Sequence, residues 1–373
     1  MPALQQLPIS KVTARLSRRD LREMVALVRL LFRLSRSDRY REQVIPQLPE
    51  VCRHDPGHAS LMMGYDFHLT NDGPRLIEVN TNAGGGYIAW LSEAQARGHD
   101  PINLTQRIEK RLLASFLQEF HDYSVGQSRQ GLCRVVLLDE EPEQQPLYPE
   151  MVACRDWLRS VGISADIAAP RQLSADQKGV FYAGERVDLV YNRHCDFFLE
   201  SCELEGLRNA YLAGTVCLSP NPFAYGLLAD KRRMILWSDP GSLDELGVSA
   251  REKEWLLNLV PASRLLADWD ADDLWAKRKQ VIFKPVTRFG SRGVLMGKSI
   301  TRKRFAVLDP QTTLVQQVVA PSVATSDDGE EFKVDLRLFV YRDRLLGVGA
   351  RLYQGQVTNL RTEGGGFAPV RLV

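Results

Sequence analysis

The segment from residue 64 to residue 86 constrains the chain more than any other, because it reads as a β-hairpin with a polar cluster on one face. Residues 65–69 and 75–80 each alternate polar and apolar side chains, the pattern of a strand with one buried face. The intervening Asn-Asp-Gly-Pro is a turn sequence in which Gly supplies a positive φ. Alternation places Glu78 and Asn80 on one face, and pairing across the turn brings Asp66 near Glu78.

This cluster has the chemistry of a magnesium site. Two carboxylates and a carboxamide oxygen are hard oxygen ligands, which suit a Mg²⁺ ion that also holds waters and phosphates. The three glycines at residues 84–86 follow at once and allow backbone to approach a ligand closely. The sequence predicts Asp66, Glu78 and Asn80 as metal ligands, although spacing alone fits an ordinary exposed hairpin equally well.

Composition limits the classes of protein that need to be considered. The chain has 373 residues and 44% hydrophobic content, enough for a large core and for two or three lobes. Its net charge of +2 disfavours a nucleic-acid or membrane-surface partner. The six cysteines include no C-x-x-C pair, and the N-terminus has no apolar signal segment, so we expect reduced thiols and a cytoplasmic location.

The middle of the chain reads as a small parallel α/β unit after a polar linker at residues 126–131. Strands are predicted over 135–138, 163–168, 187–192 and 215–218, with helices over 149–161 and 200–213. Ligands of such sheets bind at the carboxyl ends of the strands. Arg193 is therefore a candidate substrate residue, whereas the acidic run at 139–143 fits a solvated loop at least as well.

Helices and a flap are predicted around these two units. Amphipathic helices are predicted over 20–35 and 103–121, and the arginines of the first are most simply a solvated face. A helix over 223–237 carries Lys231. A strand over 281–285 carries a lone buried lysine, and the Gly-containing loop that follows it could fold over phosphates with that lysine, Lys284, at its base. The remaining predicted strands cover 314–321, 333–340 and 344–352.

Taken together, these motifs resemble the ATP-grasp superfamily, which makes amides or peptides from a carboxylate and an amine using ATP and Mg²⁺. The resemblance covers residues 64–86 and about 220–373. It implies metal binding by the hairpin triad and catalytic roles for Arg337, Arg351 and Arg361, with Arg337 or Arg351 stabilising the transferred phosphoryl group. Arg361, Arg351 and Arg193 are the candidates to hold the acceptor carboxylate. Asn359 joins Arg193 as a candidate substrate residue. The residues expected to bind the nucleotide are Lys231, Lys284, Gly290, Ser291, Gly293, Gln316, Gln317 and Val319.

The order of the motifs departs from the family pattern, because the metal hairpin normally follows the Gly-rich segment. The chain therefore resembles a circularly permuted ATP-grasp protein of the α/β (α+β) class. We expect N-terminal helices and the metal hairpin in 1–125, a parallel α/β substrate lobe in 126–220 and the nucleotide-binding lobes in 221–373. Permutation predicts that the chain ends lie close together, and that Asp66 and Glu78 face Lys284 across one cleft.

The resemblance implies an ATP- and Mg²⁺-dependent ligase that joins a carboxylate to an amine through an acyl phosphate. An ATP-grasp kinase for a small molecule and a nucleotide-binding protein without turnover remain open. The hinge carries Gln316 and Gln317 where relatives often carry Glu, and Tyr65 stands where some relatives have a basic residue. Neither substrate can be read from the sequence. We expect no nucleic-acid or membrane partner, and the resemblance makes a homodimer an open alternative.

Overall fold

A computed structural model describes residues 9–89, 101–126, 131–286, 293–356, 358–359 and 362–373, with side chains in the helix that starts at residue 101 described from residue 109 onward. Its helices, in chain order, are α1 (Arg18–Ser35), α2 (Asp38–Val44), α3 (Pro101–Ser124), α4 (Tyr148–Ser160), α5 (Glu205–Leu212), α6 (Pro222–Ala224, continuing as a π-helical turn over Tyr225–Ala229), α7 (Arg233–Ser238), α8 (Pro240–Glu245), α9 (Ala250–Leu259), α10 (Ala271–Lys277) and α11 (Arg302–Phe305).

The strands of the first half are β1 (Ala14–Leu16), β2 (Met63–Thr70), β3 (Gly73–Asn80), β4 (Arg134–Leu138), β5 (Ser164–Ala168), β6 (Leu173–Asp176), β7 (Gly179–Tyr182), β8 (Glu185–Arg186), β9 (Leu189–Asn192) and β10 (Cys217–Ser219). Those of the second half are β11 (Ser263–Leu265), β12 (Val281–Pro285), β13 (Leu295–Met296), β14 (Thr313–Gln317), β15 (Ser322–Thr325), β16 (Glu331–Tyr341), β17 (Arg344–Tyr353), β18 (Gly366–Ala368) and β19 (Val370–Leu372).

The central layer is a six-stranded antiparallel sheet that joins the two ends of the sequence. Its order is β18-β17-β16-β2-β3, with β15 also paired to β16. Both predicted hairpins, β2–β3 and β16–β17, are confirmed. Pro74 lies inside β3, which the sheet tolerates because β3 is an edge strand and Pro has no backbone N–H to donate. Helix α1 covers this sheet with a buried apolar face that includes Met24, Leu27 and Leu31.

The two ends of the described chain are paired. Strand β1 runs parallel to β19, with Ala14 opposite Val370 and Leu16 opposite Leu372. The backbone N–H of Arg18 also donates to the carbonyl of Val373 at 3.0 Å. The predicted closeness of the chain ends is therefore confirmed for the residues from 9 onward.

The predicted small parallel sheet is present with the order β10-β9-β4-β5. Strand β9 starts at Leu189 rather than at the predicted residue 187, because the Asp188 carboxylate accepts hydrogen bonds from the backbone N–H groups of Cys133 and Arg134 at 2.9 and 2.8 Å. A three-stranded antiparallel sheet, β6-β7-β8, was not predicted. Its strands have only two to four residues, too few to show alternation.

The last layer is a four-stranded sheet with the order β11-β14-β12-β13. The predicted helix over 223–237 is wrong in its middle, because Asp230 has an extended ψ of 124° and ends the π-helical turn. The Asp230 side chain accepts from the backbone N–H of Arg232 at 2.9 Å, which stabilises the break. Lys231 therefore lies between two helices rather than within one.

A buried carboxylate ties these layers together. Glu119 of α3 is fully buried and accepts from the hydroxyls of Ser219 and Tyr341 at 2.7 and 2.9 Å. It also lies 2.9 Å from Nδ1 of His58 and accepts from the backbone N–H of Ala59 at 3.2 Å. Burial alone would raise the pKa of Glu119, but His58 and these hydrogen bonds outweigh it and lower the pKa. The carboxylate stays ionised and connects α3, the parallel sheet and β16.

We predict that Tyr341→Phe lowers the free energy of unfolding by about 1.5–3 kcal/mol, because the variant removes one donor to a buried charged acceptor. Urea denaturation measures the change. Tyr182→Phe, at a half-exposed position, serves as the control and should change the free energy by less than about 0.5 kcal/mol. Equal stability of Tyr341→Phe and the wild type would show that this network does not connect the layers.

Candidate active site

The polar side chains of the hairpin lie on one face of the sheet, as the alternation predicts. Asp66 lies opposite Glu78, and Gly64 lies opposite Asn80. A bulge follows Asp66, after which Phe67 pairs with Leu76. The same strand also pairs with β16, where Asp66 lies opposite Arg337. Asp66 is therefore flanked by Glu78 on one side and by an arginine from the far end of the sequence on the other.

Asp66 is held by two guanidinium groups. Arg337 binds it through Nε and Nη2 at 2.6 and 2.7 Å, and Arg351 binds it through Nη2 at 2.9 Å. Burial alone would raise the pKa of Asp66, but the two arginines more than offset this effect and lower the pKa to about 2. For Asp66 to bind a metal ion directly, a guanidinium would have to move away.

The two arginines differ in the hydrogen bonds that they have left to donate. Arg337 makes both contacts to Asp66 and also donates to the carbonyl of Gly84 at 3.2 Å, so its donors are largely used. Arg351 shares one nitrogen between Asp66 and Asp335. Its Nε is buried and has no acceptor among the described residues. Arg337 thus uses three of its five N–H groups, whereas both carboxylate contacts of Arg351 come from Nη2, so Arg351 keeps more donor capacity at the cavity.

Asp335 is the centre of a second network that the sequence did not predict. It accepts from Arg351, Tyr353 and Thr358 and lies 2.7 Å from Nε2 of His68. Burial alone would raise its pKa, but the hydrogen bond with His68 and the charge of Arg351 outweigh burial and lower it. The other ring nitrogen of His68, Nδ1, donates to the carbonyl of Val319 at 2.8 Å, because a carbonyl oxygen only accepts. His68 thus connects the predicted hinge to the arginine cluster.

Two lysines lie beside Glu78. Lys284 is buried, and its ammonium donates to Gln316 Oε1 at 2.7 Å and to the carbonyl of Ile77 at 3.1 Å. Burial lowers the pKa of Lys284 to about 8, with Glu78 opposing the shift and Lys231 adding to it. The Lys231 ammonium lies 3.3 Å from Glu78 Oε1. This pair of lysines and one carboxylate forms a positively charged corner.

These groups surround one cavity of about 490 Å³, a volume in the range of small-molecule sites. The predicted cleft, with Asp66 and Glu78 on the same cavity as Lys284, is therefore present. The described residues that line it and were predicted as site residues are Asp66, Glu78, Asn80, Lys231, Lys284, Gln316, Gln317, Val319, Arg337 and Arg351.

Of the three predicted metal ligands, Glu78 and Asn80 have oxygen donors that no arginine occupies in the hydrogen bonds and ion pairs of the described residues. Asn80 donates its amide N–H to Asp66 at 3.2 Å, which leaves its carboxamide oxygen for another partner. The described residues contain no group of three or more His, Cys, Asp or Glu side chains that could hold a metal ion. A carboxylate and a carboxamide fit Mg²⁺ that takes its other ligands from water and phosphates.

The predicted substrate residue Arg193 is not among the described residues that line this cavity. It is buried, and its Nη1 lies 3.3 Å from Glu150 Oε2. The carboxylate of Glu150 accepts from the backbone N–H groups of Gly85 and Tyr87 at 2.8–3.0 Å. Arg193 therefore stabilises the three-glycine loop. A side chain at Gly84 would also meet it, since a Cβ there would lie 2.6 Å from Arg193.

The outcomes for the other predicted residues vary. Gly290, Ser291 and Arg361 lie outside the described residues. Gly293 has a φ of +77°, a conformation that glycine adopts without strain. Asn359 donates to the carbonyl of Gln354 at 3.2 Å and accepts from Thr362 at 3.0 Å within the loop after β17.

The parallel sheet does contribute to the cavity, but through residues that the sequence did not single out. Cys195 and Phe197, in the loop after β9, line the cavity together with Asn82. Phe197 stacks on Tyr225 with ring centroids 4.3 Å apart. The rule that ligands meet strand carboxyl ends predicted this loop, but it selected Arg193, two and four residues before the side chains that reach the cavity.

Comparison with known proteins found no matching family model and no matching curated protein. Solved structures do match. A glutathione synthetase-like effector from Globodera pallida, in its apo form, shares 12% identity over 98% of this chain and 90% of that chain, with a TM-score of 0.62. A putative γ-glutamylcysteine synthetase from Methylobacillus flagellatus KT shares 12% identity over 91% of this chain and 84% of that chain, with a TM-score of 0.51.

No helix in the described part of the chain is long and apolar enough to cross a membrane. Both structural matches extend over nearly the whole chain, so the similarity includes the central sheet, the parallel sheet and the four-stranded β11-β14-β12-β13 sheet together. At 12% identity the likeness concerns the fold. This chain therefore shares the fold of these two proteins, the ATP-grasp fold.

Proposed function

We propose that this chain is an ATP- and Mg²⁺-dependent ligase that joins a carboxylate to an amine through an acyl phosphate. The observation that carries the proposal is the cavity, where two lysines, the Glu78–Asn80 pair and Arg351 meet between two sheets. Positive charge at one corner and oxygen donors beside it suit a nucleoside triphosphate with a divalent cation. The two structural matches carry the names of synthetases, which supports the ligase class.

In this proposal, Lys231 and Lys284 bind the phosphates of ATP, and the hinge around Val319 meets the base. Glu78 and Asn80 would hold Mg²⁺, which offsets negative charge on the phosphate oxygens. Lys284 would exchange its contact with Gln316 for a phosphate.

The chemistry needs no nucleophile from the protein. A carboxylate oxygen of the first substrate attacks the γ-phosphorus, the bond from that phosphorus to the β,γ-bridging oxygen breaks, and ADP leaves. Arg351 donates to the charge on the transferred group. The amine of the second substrate then attacks the acyl carbon, the acyl–oxygen bond breaks, inorganic phosphate leaves, and the nitrogen loses a proton.

The proposal includes the permuted order of the chain. The pairing of β1 with β19 supports it, because these two ends of the described chain meet where an unpermuted protein would be continuous. The hairpin that carries Glu78 enters the central sheet beside β16, as it would if it followed residue 373.

The ligase proposal predicts that release of ADP and phosphate requires both a carboxylate and an amine, with either one alone giving no sustained turnover. Glu78→Gln should lower kcat by about 10²-fold or more while the thermal midpoint stays within a few degrees, because the variant removes charge but not volume. The control is Glu205→Gln on the surface of α5. Sustained ADP release without an amine, with a stable phosphorylated product, would instead support a kinase.

A matched pair of variants should distinguish the catalytic role of Arg351 from the structural role of Arg337. Arg351→Gln should lower kcat by about 10²-fold with a small loss of stability, because Arg337 still neutralises Asp66. Arg337→Gln should lower the free energy of unfolding by about 3 kcal/mol, because it breaks the bidentate pair of a buried carboxylate. Steady-state kinetics and urea denaturation of both variants make the comparison. The reverse pattern would assign the catalytic role to Arg337.

ATP binding should take up protons near pH 8. The pKa of Lys284 is about 8 in the free protein, so at that pH the Lys284 side chain is an uncharged amine in roughly half of the molecules. A polyphosphate beside it would raise the pKa and draw a proton from solvent. Calorimetry in two buffers of different ionisation enthalpy measures this uptake, which should disappear at pH 6.5, where Lys284 is already protonated.

Lys284→Met should abolish the proton uptake, and Lys279→Met, at an exposed position, should retain it. Uptake of the same size in wild type and Lys284→Met would show that the phosphates do not approach Lys284.

A further inference from the structure

The outer face of α1 is almost entirely arginine. Within this helix the exposed residues are Arg18, Arg19, Arg22, Ala26, Arg29 and Arg33. At 100° per residue these positions fall within about 100° of the helix circumference, and they extend over about 23 Å of its length. The guanidinium groups therefore form a single row along the helix, and the opposite face packs on the central sheet.

Further arginines extend this row at both ends. Arg15 of β1 pairs with Arg371 of β19, and both side chains are exposed. At the other end, Arg36 follows α1 and Arg344 begins β17, against which α1 packs, and both side chains are exposed. We call the exposed arginines of α1, with Arg15, Arg371, Arg36 and Arg344, the arginine row.

The arginine row is poorly neutralised. Among the ion pairs of the described residues, the exposed arginines of α1 take part in one, between Arg33 and Glu252. Residues 11–41 contain ten basic and three acidic side chains, a net charge of +7, although the whole chain carries only +2. The small overall charge, which disfavoured an anionic partner in the sequence analysis, therefore hides a strong separation of charge.

The chemistry of the row favours a lipid surface over a nucleic acid. None of the exposed side chains of α1 is aromatic, an amide or a hydroxyl, so the row has no aromatic platform for bases, and only its guanidinium groups could contact base edges. Its apolar face is buried in the protein core, so the helix cannot insert into a bilayer. Four to eight basic side chains on one helix is the pattern that attracts anionic lipid headgroups, and guanidinium groups bind their phosphates in two-point contacts.

We propose that the arginine row is an electrostatic docking surface for an anionic phospholipid bilayer. The protein would lie on the bilayer with α1 parallel to its plane and without insertion. This placement is independent of the proposed catalytic activity, because α1 covers the face of the central sheet opposite to the residues that line the cavity.

Sedimentation of the full chain with vesicles tests the proposal. Vesicles of phosphatidylcholine with 30% phosphatidylserine should bind the protein at 50 mM salt and release it at 300 mM salt, because ions screen the attraction. Vesicles of phosphatidylcholine alone should not bind it. Arg22→Glu with Arg29→Glu should weaken binding at least about tenfold. The control, Lys303→Glu with Arg304→Glu on α11, makes the same change in net charge and should bind within about twofold of the wild type.

Three results would overturn the proposal. The first is failure of the wild type to bind anionic vesicles at 50 mM salt. The second is equal weakening by the α1 and α11 variants, which would indicate an effect of net charge alone. The third is tighter binding to a 20-base-pair duplex than to vesicles at equal phosphate concentration, with the same dependence on Arg22 and Arg29. If circular dichroism shows that the double-Glu variant is unfolded, Arg22→Gln with Arg29→Gln replaces it.

Discussion

The buried carboxylate of Asp66 needs the positive charge of Arg337 and Arg351, and this requirement fixes the centre of the molecule. A buried carboxylate without a partner would cost several kcal/mol, so β2 is stable in the central sheet only beside β16, with Arg351 reaching Asp66 from β17 one strand further away. The same ion pairs join residues that are 271 and 285 positions apart in the sequence. Once β2 is in that place, β3 lies at the sheet edge and its Glu78 faces the lysines.

This arrangement explains why Arg337, Arg351 and Lys284 have different roles in the cavity. Arg337 uses its donors on Asp66 and on Gly84, and it therefore holds the sheet and the glycine loop together. Arg351 makes both of its carboxylate contacts through Nη2 and has more N–H groups left for a ligand. The ammonium of Lys284 donates to the neutral side chain of Gln316, and its pKa is lowered by burial. A phosphate in place of Gln316 would stabilise the charged ammonium.

The sequence predicted much of this, where the signal is local. Alternation over residues 65–80 indicated the hairpin and the facing of Asp66 and Glu78, and the resemblance brought in the lysines and the permuted order. The partners of Asp66 could not be predicted, since no local pattern records which strand pairs with β2. His68 was missed because its role depends on two residues distant in sequence, Val319 in the loop after β14 and Asp335 on β16. Arg193 was placed in the correct loop, but its burial against Glu150 depends on tertiary packing.

The central claim is that the cavity binds a magnesium nucleotide. The most direct test is a titration of the protein with a non-hydrolysable ATP analogue, with and without Mg²⁺, followed by the thermal unfolding midpoint. A ligand that binds only the native state raises the midpoint in proportion to the logarithm of its concentration once the site is saturated. The account predicts a Mg²⁺-dependent rise that Lys284→Ala abolishes. An unchanged midpoint at millimolar analogue with Mg²⁺ would contradict it.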